Sequence, residues 1–433
     1  MLINRTISVT GTRQPWSVNY QHLAYFLGAI SGFVWLLPVF GPPGGGIEKT
    51  DTSSLIRYLR ILGPLCVFLL VRQETLWRLR RLLARQITNG IVPRPVLRLI
   101  GLILTLGLVP LAAGLFSANS LFIVSAVLPL TISLFFLLGV ILLDDLSFRR
   151  WVIGMTGSAV LFLAVGMMTS HFEPTSYYGR PRILLGFVHP IVTASVILAA
   201  FCFALLQIST RQFLEKRQVR ERRVLFGVCG TATLLLMLLA QSRNVLISLC
   251  LGLLCLWIGV HVSRKIRVLI FSGLLFLPIG IYLFVLTGSP LNPVWVLLND
   301  LSSQRLALLQ SVLASSVSFG DPQQLFEPSN ARLTALAEYV GFASTDSVFQ
   351  SFFFNYGLIS VVCFVALLFT LGWRLAFRVE TVYPYSALCG IVFFFSLDAQ
   401  GVTTSNLILF VVFAYAVRAT VSLQAALDRF SPS

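Results

Sequence analysis

The chain has 433 residues; 57% are hydrophobic, 11% are charged, and the mean hydropathy is +0.87. That composition excludes an ordinary soluble globular protein. The formal net charge of +16 does not indicate nucleic acid, because the basic residues are scattered through short loops between apolar runs. In that position they set topology and meet anionic lipid.

In chain order the apolar runs predict spans at 22–40, 55–71, 99–116, 121–143, 151–169, 188–208, 224–240, 245–263, 268–286, 347–371, 384–398 and 407–423. Runs of about 20 residues suit a hydrocarbon core roughly 30 Å thick. Barrel strands would be shorter and would alternate in polarity. The expected fold is therefore an all-α polytopic integral membrane protein of about twelve transmembrane helices, with residues 1–433 as a single transmembrane domain. The first run follows a polar segment and is too long for a signal-peptide core, so no cleavable signal is expected. Cys66, Cys202, Cys229, Cys250, Cys255, Cys363 and Cys389 all lie within apolar runs. They behave as small buried hydrophobes without disulfide or metal spacing.

Most basic residues fall in every second loop. Arg72 to Arg98, Arg149 and Arg150, Arg211 to Arg223, Arg264 to Arg267, and Arg374 and Arg378 alternate with loops nearly free of them, and the termini carry Arg5, Arg13, Arg418 and Arg429. The basic set is cytoplasmic. Both termini are therefore expected inside. The other loops hold only Lys49, Arg180, Arg182, Arg243, Arg305 and Arg332, with Arg57 and Arg60 in the outer turns of the second span. Those arginines break the topology rule, and an anionic substrate is a reason for them to be there.

The one long hydrophilic segment, 287–346, is expected on the outer side. Within it Ser302 or Ser303 can cap a helix over 304–313, after a polar stretch at 299–303. A second short helix is expected near 333–339.

Four constellations on the outer side carry chemistry. Arg180-Pro181-Arg182, followed by Gly186 and His189-Pro190, forms a rigid cationic hook. Guanidinium pairs suit phosphate oxygens, of a substrate or of lipid. His189 can carry a proton or serve as a satisfied structural histidine. Gln241-Ser242-Arg243-Asn244 is a hydrophilic pinch between two apolar runs, so Arg243 is held at the outer interface as a functional group or as a snorkelling turn residue. Arg305 falls in the first turn of the 304–313 helix, where a bound anion would relieve its conflict with the dipole. Asp346 opens the tenth span, as a general base or as a helix cap. Arg57 and Arg60 share a helix face and can add to a cationic cavity or pair with Asp51 or Asp398. No nucleotide or metal motif occurs; the Gly44–Gly46 run lacks a P-loop's Lys and context.

The order of these pieces resembles the O-antigen polymerase and O-antigen ligase superfamily. Its members show an Arg, Gly and His-Pro segment, a Ser-Arg pinch between two spans, an Arg motif in a large periplasmic loop, and a polar pair opening the next span with a Gly beyond. Here these correspond to Arg180/Arg182 with Gly186 and His189-Pro190, Ser242-Arg243, Ser303-Gln304-Arg305, and Asp346-Ser347 with Gly357. The resemblance covers roughly residues 150–375. Ligases of this superfamily carry His-Asn where this chain has Asp346-Ser347, which favours a polymerase.

The resemblance implies a bacterial inner-membrane glycosyltransferase that joins oligosaccharide repeats linked to undecaprenyl pyrophosphate at the periplasmic face. It implies no metal and no cofactor, because the leaving pyrophosphate is stabilised by arginines. Asp346 and His189 are the expected catalytic residues. Arg180, Arg182, Arg243, Arg305, Arg57 and Arg60 are the expected substrate contacts. Expected partners are the lipid-linked saccharide, membrane lipids and a chain-length regulator. The alternatives are a ligase of the same superfamily and, in another class, a secondary transporter or flippase for an anionic lipid-linked substrate.

Overall fold

The computed structural model describes residues 16–37, 62–70, 94–116, 134, 143, 145–168, 175–177, 180–182, 243–289, 291–301, 348–377 and 382–397. In chain order these form α1 (Trp16–Leu36), α2 (Leu62–Leu69), α3 (Arg94–Phe116), α4 (Asp145–Met168), β1 (Thr175–Tyr177), β2 (Arg180–Arg182), α5 (Arg243–His261), α6 (Arg264–Thr287), α7 (Pro293–Leu301), α8 (Val348–Leu375) and α9 (Val382–Leu397). The described architecture is helical apart from the small β1–β2 hairpin. The predicted spans at 121–143, 188–208, 224–240 and 407–423 lie outside the described residues, save Leu134 and Leu143, both buried in the core.

Among the described helices, one has the length and composition to cross a membrane, through the window Leu358–Leu375 of α8. Shorter apolar stretches run over His22–Val34, Leu99–Ala112, Arg150–Gly166, Val245–His261 and Pro384–Ser396. Most helices outrun the apolar segments that predicted them. α3 begins at Arg94 rather than 99, α4 at Asp145 rather than 151, and α6 at Arg264 rather than 268. Hydropathy marks only the apolar part of a helix. Long cationic side chains continue its backbone while their heads stay in a polar layer.

The helices are apolar on both sides. One core cluster joins Trp151, Phe148, Phe271, Phe364, Tyr385 and Phe395, yet Phe26, Leu108, Leu161, Leu269 and Val362 face outward. Exposed apolar surface of this kind marks contact with a protein partner or a membrane.

Small residues let the helices approach closely. A Cβ added to Gly28 would strike the Trp151 carbonyl oxygen, and one on Gly154 would strike that of Tyr25. The Phe33 and Phe162 rings lie 5.5 Å apart. Residue numbers rise together along this seam, so α1 and α4 are parallel. Trp151 Nε1 donates to Ser31 Oγ at 3.2 Å, Ser31 donates to the Leu27 carbonyl at 2.8 Å, and Ser158 donates to the Ala29 carbonyl at 2.7 Å. The Trp151–Ser31 and Ser158–Ala29 bonds tie α4 to α1, while that from Ser31 to Leu27 stays within α1.

The second group alternates in direction. On α5 and α9, Gly259 meets Val382, Gly252 meets Ser386, and Ser248 meets Gly390. Numbers rise on one helix as they fall on the other, so the pair is antiparallel. Arg264 of α6 stacks on Phe377 just beyond α8, and Phe271 covers Gly372, so α6 and α8 are antiparallel as well. Tyr385 donates its hydroxyl to the Arg267 carbonyl at 2.6 Å and ties α9 to the start of α6.

α7 departs from expectation. Residues 293–298 precede the polar stretch that was expected to start the loop's first helix, yet they are themselves helical. The Asn292 side-chain oxygen accepts from the Val294 amide at 2.9 Å, and Pro293 occupies the first helical position. Asn followed by Pro is a good helix start. The predicted helices at 304–313 and 333–339 lie outside the described residues.

Candidate functional site

Arg180 and Arg182 stand on β2, with Arg180 opposite Tyr177, Pro181 opposite Ser176 and Arg182 opposite Thr175. The expected hook is therefore one arm of an antiparallel hairpin joined through Tyr178-Gly179. Alternate positions of a strand share a face, so the backbone sets both arginine positions on the same side. A strand of two is all edge, and Pro181 is tolerated there without its amide donor. Gly179 between the two triplets was the available sequence signal.

Arg243 is the first residue of α5. The expected pinch is thus a helix start. A cation in the first turn opposes the helix dipole, and an anion nearby relieves it. The antiparallel register carries Arg243 to the end of the bundle where α9 finishes at Leu397. This is the end opposite His261, Arg264, Lys265, Arg267 and Arg374. Just inside it, Val245 and Ser248 are fully buried.

The start of α8 comes to the same end. Phe352 and Phe364 stack with ring centroids 4.6 Å apart and planes 7° from parallel. Phe349 lies 5.7 Å from Phe364 in the same way. Twelve residues of straight helix would separate such rings by about 18 Å. The helix, unbroken over Val348–Leu375, therefore bends between 352 and 364, and Gly357 lies within that stretch, where a glycine eases a kink. Phe364 also contacts Phe395, near the end of α9, at 6.2 Å. Val348 and Phe349 are buried in this cluster. The chain that leaves Ser347 thus dives directly into an aromatic floor beneath the end that carries Arg243.

Two of the four constellations, the pinch at Arg243 and the segment following Asp346-Ser347, are brought to one end of the helix group. Arg57, Arg60, His189, Arg305 and Asp346 themselves lie outside the described residues, as do Asp51 and Asp398. Sequence reasoning missed the aromatic floor. The Phe runs at 352–354 and 393–395 were visible, but as generic hydrophobic sequence. Among the described residues no group of three His, Cys, Asp or Glu is placed to hold a metal ion.

No family model matches the chain, and no curated protein and no solved structure matches it.

Proposed function

We propose that this chain is an inner-membrane polysaccharide polymerase. It is a glycosyltransferase that extends a saccharide by joining repeats carried on undecaprenyl pyrophosphate at the outer face. The observation that carries the reading is the separation of charge between the two ends of the helix group. His261, Arg264, Lys265, Arg267 and Arg374 stand at one end, and Arg243 at the other. Positive residues gather on the cytoplasmic side, so the isolated arginine belongs to the outer face.

The helix directions support this threading. α1 and α4, the first and fifth predicted spans, are parallel. α5, α6, α8 and α9, the eighth to eleventh, alternate. Within each of these two groups, odd spans share one direction and even spans the other, as a polytopic chain requires. In this reading the outward-facing aliphatic residues face lipid.

In the proposed reaction the growing chain leaves its pyrophosphate carrier and its anomeric carbon bonds to a sugar hydroxyl of the next lipid-linked repeat. The pyrophosphate gains negative charge as the bond breaks. Arg180, Arg182, Arg243 and Arg305 stabilise it, and Arg57 and Arg60 extend the cationic surface. Asp346 accepts the hydroxyl proton, with His189 as the second candidate.

The decisive experiment analyses lipid-linked saccharides in a deletion strain. A polymerase leaves single repeats on the carrier. Long chains stranded on the carrier would instead identify a ligase, and repeats accumulating on the inner leaflet a flippase.

A further inference from the structure

The end of the bundle opposite Arg243 carries a cationic and aromatic corner that the polymerisation reaction does not use. α5 ends at His261 and α6 begins at Arg264, separated by Val262 and Ser263. His261, Arg264 and Lys265 are all solvent-exposed. Around them stands a belt of exposed apolar side chains: Trp257 at 67%, Leu269 at 72%, Ile266 at 45% and Trp373 at 43%. The Trp257 ring meets His261 edge-on with centroids 5.8 Å apart. On the far side Trp373 packs on Phe377 at 5.5 Å, and Phe377 carries the Arg264 guanidinium on its face.

The Phe377 ring thus holds the Arg264 guanidinium beside the α5–α6 turn. Tryptophans beside lysine and arginine mark the level of the headgroups in a membrane-spanning bundle. α5, α6, α8 and α9 contain no acidic residue. Glu380 is the one carboxylate in the α8–α9 connection, where Arg378 offsets it. The corner holds an excess of positive charge beside an exposed apolar surface.

We propose that this corner is a binding site for an anionic phospholipid of the inner leaflet. Arg264 and Lys265 take the headgroup phosphate, His261 flanks it, and the acyl chains lie along Ile266 and Leu269. The site clamps the α5–α6 turn against α8 from the membrane side. The inference rests on the chain spanning a membrane and not on its being a polymerase.

The test uses the purified full chain in detergent, offered phosphatidylglycerol or phosphatidylcholine, with retained lipid read by native mass spectrometry. The wild-type protein is expected to hold phosphatidylglycerol through detergent exchange and to lose phosphatidylcholine. The double variant Arg264→Gln, Lys265→Gln should bind phosphatidylglycerol roughly thirtyfold more weakly, the loss of two cations at a charged lipid surface. The pair Arg94→Gln, Arg98→Gln, at the basic start of α3, should retain it. Equal loss in both double variants would mean diffuse charge attraction and would overturn the site. So would equal retention of the two lipids by wild type, a comparison that needs no variant to fold. Displacement of the lipid by inorganic phosphate alone would show a phosphate site with no lipid selectivity and would overturn it too. Polymer formation is not read in any arm, so failure here leaves the polymerase proposal standing.

Discussion

At the scale of single residues, the argument turns on what type of group each position needs. An outer arginine that stabilises pyrophosphate must donate two parallel hydrogen bonds. Arg243→Ala is expected to lower polymerisation by roughly 10²–10³-fold, the usual effect of removing one donor to a developing anion. Arg243→Lys should rescue poorly, because an ammonium cannot bind in the bidentate manner. Polymer length and amount, measured against unchanged protein abundance, check both. Full activity of Arg243→Ala, Arg180→Ala and Arg305→Ala would remove the cationic site. Asp346 separates differently. A cap needs only a side-chain oxygen, so Asp346→Asn would keep its activity. A general base needs a titratable group, and its loss costs roughly 10²–10⁴-fold. Polymerisation of a purified lipid-linked repeat by Asp346→Asn and Asp346→Ala decides it: equal inactivity of both means a base, and wild-type turnover of Asn means a cap.

At the scale of elements, the seam between α1 and α4 gives a sharp contrast within one helix. Gly154 lies against the Tyr25 backbone, whereas a Cβ on Gly157 would meet nothing within 4 Å. Gly154→Ala must push two backbones apart and is expected to destabilise by about 1–3 kcal/mol or more. Gly157→Ala only improves helix propensity, by up to about 1 kcal/mol. Thermal midpoints in one detergent should therefore move in opposite directions. Similar shifts for the two variants would mean that α1 and α4 do not meet face to face as described. Gly390, whose Cβ would sit 2.9 Å from the Ser248 carbonyl oxygen, is a milder case. Gly390→Ala should loosen the α5–α9 pair and, through it, the end that carries Arg243.

At the scale of the whole molecule, the proposed threading of the chain through a membrane is open to direct measurement. In a version lacking native cysteines, cysteine at Ser318 should react with an impermeant thiol reagent on intact spheroplasts, and cysteine at Gln218 should not. Both positions fall in loops of opposite charge character, so the pair tests orientation rather than exposure. The reverse pattern would move the arginines to the cytoplasm and end the proposed chemistry.

The sequence alone determined that the chain is helical and apolar, roughly where its helices lie, and which arginines break the charge pattern. Those properties are local: period, run length and charge are written along the chain. Its apolar runs stop short of several helix ends, because a helix continues through Arg and Lys where an apolar run stops. It also passed over α7 and the Arg180–Arg182 hairpin, both set by short-range cap and turn chemistry rather than by hydropathy. Only the tertiary structure decided that α1 and α4 pack against each other, since that depends on Gly28 and Gly154 meeting backbone more than a hundred residues away in sequence. Only it decided that α8 bends so that Phe352 lies on Phe364. A run of phenylalanines reads the same whether its helix is straight or bent. The bend is decided by what the rings find to pack against, and that partner, Phe395, arrives from another helix.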